Sequence, residues 1–314
     1  MTTEPNKLEK SILATVAYFD VFDYPLTVAE IWKWLYKEKA PGDLLTLGEI
    51  WQTLDNSQLI KSLVGTKRGF YFLKNREELV ETRQARYVLA EKKMKRAKRV
   101  AGFLKFIPGI KMIAVCNSLA WTNASEKSDI DFFIVTAPRK IWTARFWAAG
   151  FSQLLGLRPS KNNTRDKICL SFFVDEEALN LETLALGRPD IYLIYWIAQL
   201  WPLYDRGGVY QKFWQANSWI KNFLPNVFSR TTEVRVAENR PSGKIGLGEN
   251  FFRWLQMKLL PKDLWKAANR DSRVIVTDKI LKFHANDRRE EYKRMWEEKI
   301  GALLQITNHL QIYK

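Results

Sequence analysis

The 314-residue chain carries 50 Lys and Arg against 34 Asp and Glu, a net charge of +16, with 46% hydrophobic and 13% aromatic residues. That length holds two domains or three small ones, the apolar content excludes general disorder, and the longest apolar run, Ile191 to Leu203, falls short of the roughly 20 residues of a transmembrane helix. The opening MTTEPNKLEK lacks the apolar core of a secretory signal and two cysteines make no disulfide framework, so a reducing, cytoplasmic setting is expected, while the charge favours an anionic partner.

In chain order, Leu8 to Tyr18 has apolar residues at helical spacing. Thr27 with Glu30, and Thr46 with Glu49, have capping-box spacing and open helices reaching Leu35 and Leu54. Gln58 to Val64 and Gly69 to Leu73 are β-prone runs joined by the basic turn Gly65 to Arg68. Three helices and a basic hairpin over residues 1–82 resemble a winged helix-turn-helix domain, an arrangement that serves equally as a protein-docking module. Its third helix carries Glu49 as its only charge, so the basic residues available to nucleic acid are Lys67 and Arg68 of the wing and those that follow it.

Residues 83–106 read as a connecting helix. From Arg83 to Lys105 there are nine basic residues against Glu91 alone, half of the whole-chain excess. Such a run is either a solvated face or a phosphate-binding one, and the lack of acidic partners favours phosphate, with Lys92, Lys93, Lys95, Arg96, Lys98 and Arg99 as the contacting groups on DNA or RNA. Pro108-Gly109 ends the helix. Strands are then expected at Lys111 to Cys116, Asp129 to Thr136 and Lys167 to Val174, with a helix at Lys140 to Leu155, giving a small α+β domain with a mixed sheet over 107–185. The remainder, 186–314, reads as helical, with a polar loop from Ser229 to Asn250 and a β-prone stretch, Arg273 to Phe283, that has no evident place.

The stretch with chemistry in it is VCNSLAWTNASEKSDIDFFIV, residues 115–135. Residues i and i+2 of a strand share a face, so Asp129 and Asp131 point the same way beside the turn at Asn117-Ser118, a pattern suited to a divalent cation and a phosphate. Turn, spacer and Asp-x-Asp strand, Ser128 to Val135, resemble the nucleotidyltransferases of the DNA polymerase beta-like superfamily over about residues 110–176. The resemblance implies that Asp129 and Asp131 are catalytic ligands of Mg²⁺, with a second metal a further possibility. It also implies that Ser118 and the backbone of Asn117 hold the phosphates of a nucleoside triphosphate, whose nucleoside monophosphate passes to a hydroxyl acceptor.

Two positions depart from that family. Asn117 stands where the family has glycine, and asparagine is the other residue that best tolerates positive φ. On the third strand the first acid on the polar-residue parity is Asp175, read either as the family's third carboxylate or as a helix-start acid. If no acid reaches the acceptor, the alternative is a non-catalytic DNA- or RNA-binding regulator whose degenerate nucleotidyltransferase fold senses nucleotide. His284 and His309 have no Cys or His at zinc-ligand spacing, and Asn286 or Asp287 reads as the cap of the last helix.

Overall fold

The computed structural model describes residues 4–37, 45–160, 163–227, 247–284 and 286–312. The first helix, α1 (Lys7–Asp20), is started by a capping box between Asn6 and Glu9. After β1 (Leu26–Thr27), the expected Thr27–Glu30 and Thr46–Glu49 boxes start α2 (Val28–Lys33) and α3 (Leu47–Asn56). Each box satisfies two backbone N–H groups that a helix end otherwise leaves unpaired.

The run Gln58 to Val64, expected as a strand, is instead mostly a helix, α4 (Gln58–Leu63). Ser57 accepts from the Ile60 N–H and caps it, while Ile60 and Leu63 face the core one turn apart. Strands β2 (Val64–Lys67) and β3 (Phe70–Leu73) follow, so Gly65 lies in a strand and the turn is Arg68-Gly69. Both turn residues have positive φ, as a tight two-residue hairpin demands. Gly65 is required where it stands, because a Cβ there would meet the Phe72 ring at 2.7 Å. The three strands pair in the order β1-β3-β2.

The long helix α5 (Leu79–Leu104) joins this unit to the main sheet. That sheet comprises β4 (Ile110–Val115), β5 (Ile130–Thr136), β6 (Ile168–Asp175), β7 (Trp201–Asp205), β8 (Val274–Val276) and β9 (Ile280–Phe283). Their order is β7-β4-β5-β6-β9-β8, and only β5 and β6 are parallel. The helices around it are α6 (Asn117–Ala120), α7 (Ile141–Leu154), α8 (Ile191–Gln199), α9 (Val209–Ala216), α10 (Leu247–Lys258), α11 (Lys262–Ala267) and α12 (Arg289–Ile312). The fold is therefore α+β with a mixed sheet.

The region expected to be mainly helical, 186–314, supplies three of the six strands. Pro202 cannot continue α8, and the apolar run turns into β7, an edge strand where a missing N–H is tolerated. The β-prone stretch Arg273 to Phe283 becomes β8 and β9 on the opposite edge. The expected loop Ser229 to Asn250 lies outside the described residues as far as residue 246, and its last four residues open α10.

Alternation along the central strands sorts two cores. Met112, Ala114, Phe133, Val135 and Phe172 pack toward α1, α8 and α9, whereas Ile113, Val115, Phe132, Ile134 and Leu170 pack toward α5 and α7. Helix α10 docks on α7 through Glu249, whose buried carboxylate accepts from the Trp142 and Thr143 N–H groups at 2.7 and 3.1 Å and caps a helix that has no side-chain cap of its own. Helix α12 closes against α1, where Trp296 Nε1 donates to the Ala14 carbonyl at 2.9 Å and Lys299 pairs with Asp20 at 2.7 Å.

Arg83 ties α5 to the N-terminal unit. It is buried over the Tyr24 ring, donates to the Pro25 carbonyl and pairs with Glu30 at 2.7 Å. Replacing it by Gln strands Glu30 and leaves a space, so Arg83→Gln is expected to lower the unfolding free energy by about 3 kcal/mol in a denaturant titration.

Candidate functional site

The site forms where β4, β5 and β6 reach one end of the sheet. Asp131 lies in β5, two residues after Asp129, and the parallel register sets Cys169 of β6 directly opposite Asp131. One ligand atom each from Asp129, Asp131 and Cys169 lies within 4.8 Å of the other two. Just past β4, Asn117 adopts a φ of 53°, in the left-handed region, and opens the four-residue α6 with Ser118 behind it. The Asn117 side-chain oxygen accepts from Trp196 Nε1 at 2.9 Å and from the Tyr192 hydroxyl at 3.4 Å. Its amide also hydrogen-bonds the Asp131 carboxylate.

These groups open into a cleft of about 460 Å³. Its far wall comes from β9 and the start of α12, with Lys282, His284, Asp287, Arg288 and Tyr292 facing the acids. Tyr192 and Tyr292 stack with ring centroids 5.4 Å apart. Arg288 lies over the Tyr292 ring and pairs with Glu291 at 2.7 Å. His284 Nε2 and Ser171 Oγ share a hydrogen bond of 2.8 Å, and the same hydroxyl lies 3.3 Å from the Cys169 sulfur.

The electrostatics divide the cleft in two. On the acidic side, burial and the Asp129 charge push Asp131 up to about 7, against hydrogen bonds from Asn117 and Cys169 that favour its ionised form. Burial raises Asp129 as well. Burial and the two aspartates keep the Cys169 thiol protonated, far above its ordinary range. On the basic side, burial and the nearby Lys282 and Arg289 charges lower His284 to about 4, so the imidazole is neutral near neutrality. Burial and Arg289 bring Lys282 down to about 8. Asp287, despite burial that alone would raise it, is held near 2 by the Arg289 hydrogen bond and the Lys282 charge. Among the described residues neither Asp129 nor Asp131 has a cation within ion-pair distance.

Asp175 does not join this group. It pairs with Thr136 at the other end of the parallel ladder, six residues beyond Cys169 and roughly 20 Å away by strand rise. Its carboxylate accepts from the Glu177 and Arg139 N–H groups at 2.8 and 2.7 Å, a turn cap rather than a third catalytic acid. Asp175 has the parity of Cys169, but β6 carries a register irregularity between Cys169 and Phe172, after which Phe172 and Val174 occupy the face of Phe133, so odd numbering no longer marks the face of Asp131.

Lys93 also differs from expectation. Only 4% exposed, it donates to Asp166 at 2.6 Å and to the Ser128 and Glu126 carbonyls at 2.8 and 3.2 Å, so it fastens the turn that leads into Asp129 and is withdrawn from any nucleic acid. The helical period carries the signal for this: Lys93 shares a stripe with Ala90, Ala97 and Val100, all buried. Of the other basic candidates, Lys92, Lys95, Lys98 and Arg99 are exposed on α5 and Arg96 is half-buried. Lys67 and Arg68 both reach Glu81, at 2.8 and 3.6 Å. No local sequence pattern marks the β9–α12 wall as part of the site, because its partners in β5 and β6 lie more than a hundred residues away in sequence. Asp287 does cap α12 as expected, accepting from the Arg289 N–H at 3.1 Å.

No protein-family model, curated protein or solved structure matches the chain.

The raised Asp131 has a consequence for stability. Its folded pKa of about 7 lies above the ordinary 3.8, so the proton is held more tightly in the folded state. Stability is complete below the lower value and is lost as pH climbs through the upper one. Without divalent cations, urea unfolding of Asp131→Asn is expected to be about 2 kcal/mol more stable than wild type at about pH 8, with little difference at about pH 4.

Proposed function

We propose that the cleft binds a nucleoside triphosphate with a divalent cation, Mg²⁺ in the first instance, and that the protein is a nucleotidyltransferase. The observation that carries this reading is the convergence of two half-buried carboxylates, neither in ion-pair contact with a cation among the described residues, beside the left-handed turn at Asn117. The donor set fits a cation: hard carboxylate oxygens suit Mg²⁺, and a dication offsets the mutual repulsion that raises Asp131. A cation held by Asp129 and Asp131 supplies Lewis-acid stabilisation of phosphoryl oxygens.

The chain's own groups account for the rest. Asn117 and Ser118, in the first turn of α6, present backbone N–H groups that have no intrahelical partner and favour phosphate oxygens. Tyr292 and the Arg288 guanidinium on the facing wall offer a planar surface and a positive charge to the nucleotide. In the transfer, the acceptor's hydroxyl oxygen bonds to the α-phosphorus as the bond to the β-phosphate oxygen breaks, pyrophosphate leaves with the electron pair, and the hydroxyl proton passes to water. Nucleic acid as the acceptor is supported by the exposed row of Lys92, Lys95, Lys98 and Arg99 on α5, together with the winged-helix-like order of helices and hairpin preceding it.

A second reading, nucleotide binding without turnover in a DNA- or RNA-binding regulator, is favoured by one observation. Opposite Asp131, where a third carboxylate would hold another cation or take the acceptor's proton, stands the neutral Cys169.

Incubation with α-phosphate-labelled nucleoside triphosphates and Mg²⁺ tests transfer. Label is expected to reach an acceptor pool with wild type and to fall by at least about a hundredfold with Asp129→Asn or Asp131→Asn. Cys169→Asp separates the two readings. It is expected to raise transfer by about tenfold if the thiol is what limits turnover. Nucleotide binding with no transfer by either wild type or Cys169→Asp would leave only the regulator. For nucleic acid, a salt titration of oligonucleotide affinity is expected to lose about one unit of log–log slope per side chain as Lys92, Lys95 and Lys98 are neutralised.

A further inference from the structure

A second cavity, of about 650 Å³, lies between α7, α10 and β6. Strand β9 pairs with β6 only from Phe172 to Val174, so the edge of β6 before Phe172 carries no β9 partner. Cys169, Ser171 and Phe283 line both this cavity and the acidic cleft. The two spaces are thus neighbours across a few side chains.

Two arginines face the second cavity. Arg145, on α7, lies over the Phe283 ring at 4.4 Å and donates through Nη1 to the Gln256 side-chain oxygen at 2.6 Å. Its Nε is buried and has no hydrogen-bond partner. The Gln256 amide nitrogen is itself spent on the Trp142 and Phe252 carbonyls, so Gln256 is fixed as a neutral acceptor. Arg158, half-buried after α7, lies near enough to repel Arg145 and feels the Cys169 thiol. Among the described residues the four most buried cations all have carboxylates: Arg83 has Glu30, Lys93 has Asp166, and Lys282 and Arg289 have Asp287. Among the described residues Arg145 and Arg158 have none.

Two arginines lining one cavity, with no carboxylate paired to either among the described residues, make a site for a doubly charged anion. We propose that Arg145 and Arg158 bind the phosphate group of a small phosphorylated molecule in this cavity. A phosphate dianion matches the two positive charges and accepts from guanidinium forks, and the volume leaves room for a sugar-sized remainder. Burial together with Arg158 lowers Arg145 to about 10, the direction expected of a cation that lacks its anion. The phosphate site stands independently of nucleotidyl transfer. Only the role of its occupant, as the hydroxyl-bearing acceptor next to the acid pair, rests on that reading.

Isothermal titration with inorganic phosphate and with ribose 5-phosphate, at constant ionic strength and without divalent cations, tests the site. Wild type and the Asp129→Asn/Asp131→Asn double variant are expected to bind both probes, ribose 5-phosphate the tighter, and Arg145→Gln or Arg158→Gln to lose at least about tenfold in affinity. Should Arg145→Gln unfold, Arg158→Gln, altered at a half-exposed position, carries the measurement. Failure of wild type to bind either probe at about 10 mM, or affinity unchanged in Arg158→Gln, overturns the proposal. Loss of binding in the aspartate variant relocates the phosphate to the acidic cleft and overturns it too. Equal affinity for the two probes removes the phosphorylated co-substrate. Failure of label transfer, by contrast, overturns the nucleotidyltransferase reading and leaves this site standing.

Discussion

The geometry of the acidic cleft depends on one buried ammonium group. Lys93 spends its charge on Asp166 and two backbone carbonyls, and by doing so it joins three pieces of chain: α5, the turn that carries Ser128, and the turn before β6. The second and third pieces set the starting points of β5 and β6. Strand register is a discrete choice, and a slip of one residue would turn Asp131 to the other face. An ammonium with all three of its donors satisfied is stable in the interior, whereas without them it would face a desolvation cost of several kcal/mol. The Asp131–Cys169 alignment is thus fastened from outside the sheet.

With that register in place, the cleft segregates charge. Carboxylates crowd the end of β5, while cations line the start of α12 across the gap. Lys282 and Arg289 are themselves held by Asp287 and Asp190, which keeps the basic wall rigid and leaves Arg288 as its more exposed member. A ligand that bears both a polyphosphate and a bound cation matches such a divided surface better than one of a single sign. Neutral His284 sits on the dividing line with Ser171 and Cys169, linking the acidic cleft to the arginine-lined space beside it.

The parts of this molecule that a sequence reader finds unaided are those governed by short-range rules. Capping boxes at Thr27 and Thr46 span three residues, and Asp129 with Asp131 spans two, so both are visible without tertiary knowledge. The α4 segment shows where local preference fails: Leu59, Ile60 and Leu63, in a run that reads as β-prone, are overruled by the Ser57 cap and by burial on one side only. Cys169 is unremarkable until the parallel register is known. The cleft wall from β9 and α12 lies in the last forty residues, and no local pattern connects it to an aspartate at position 131. For the same reason a row of basic residues on α5 looks uniform in the sequence although one of its members is an internal strut.

Helix α12 has a further consequence. Tyr292 lines the cleft, and one turn further along the same helix Trp296 and then Lys299 grip α1. A continuous helix holds those points at fixed separation and so joins the wall of the cleft to the N-terminal unit. Any occupant that displaces Tyr292 does work on α1, and anything that docks on the N-terminal unit does equal work on the cleft, since such coupling runs with the same free energy in both directions.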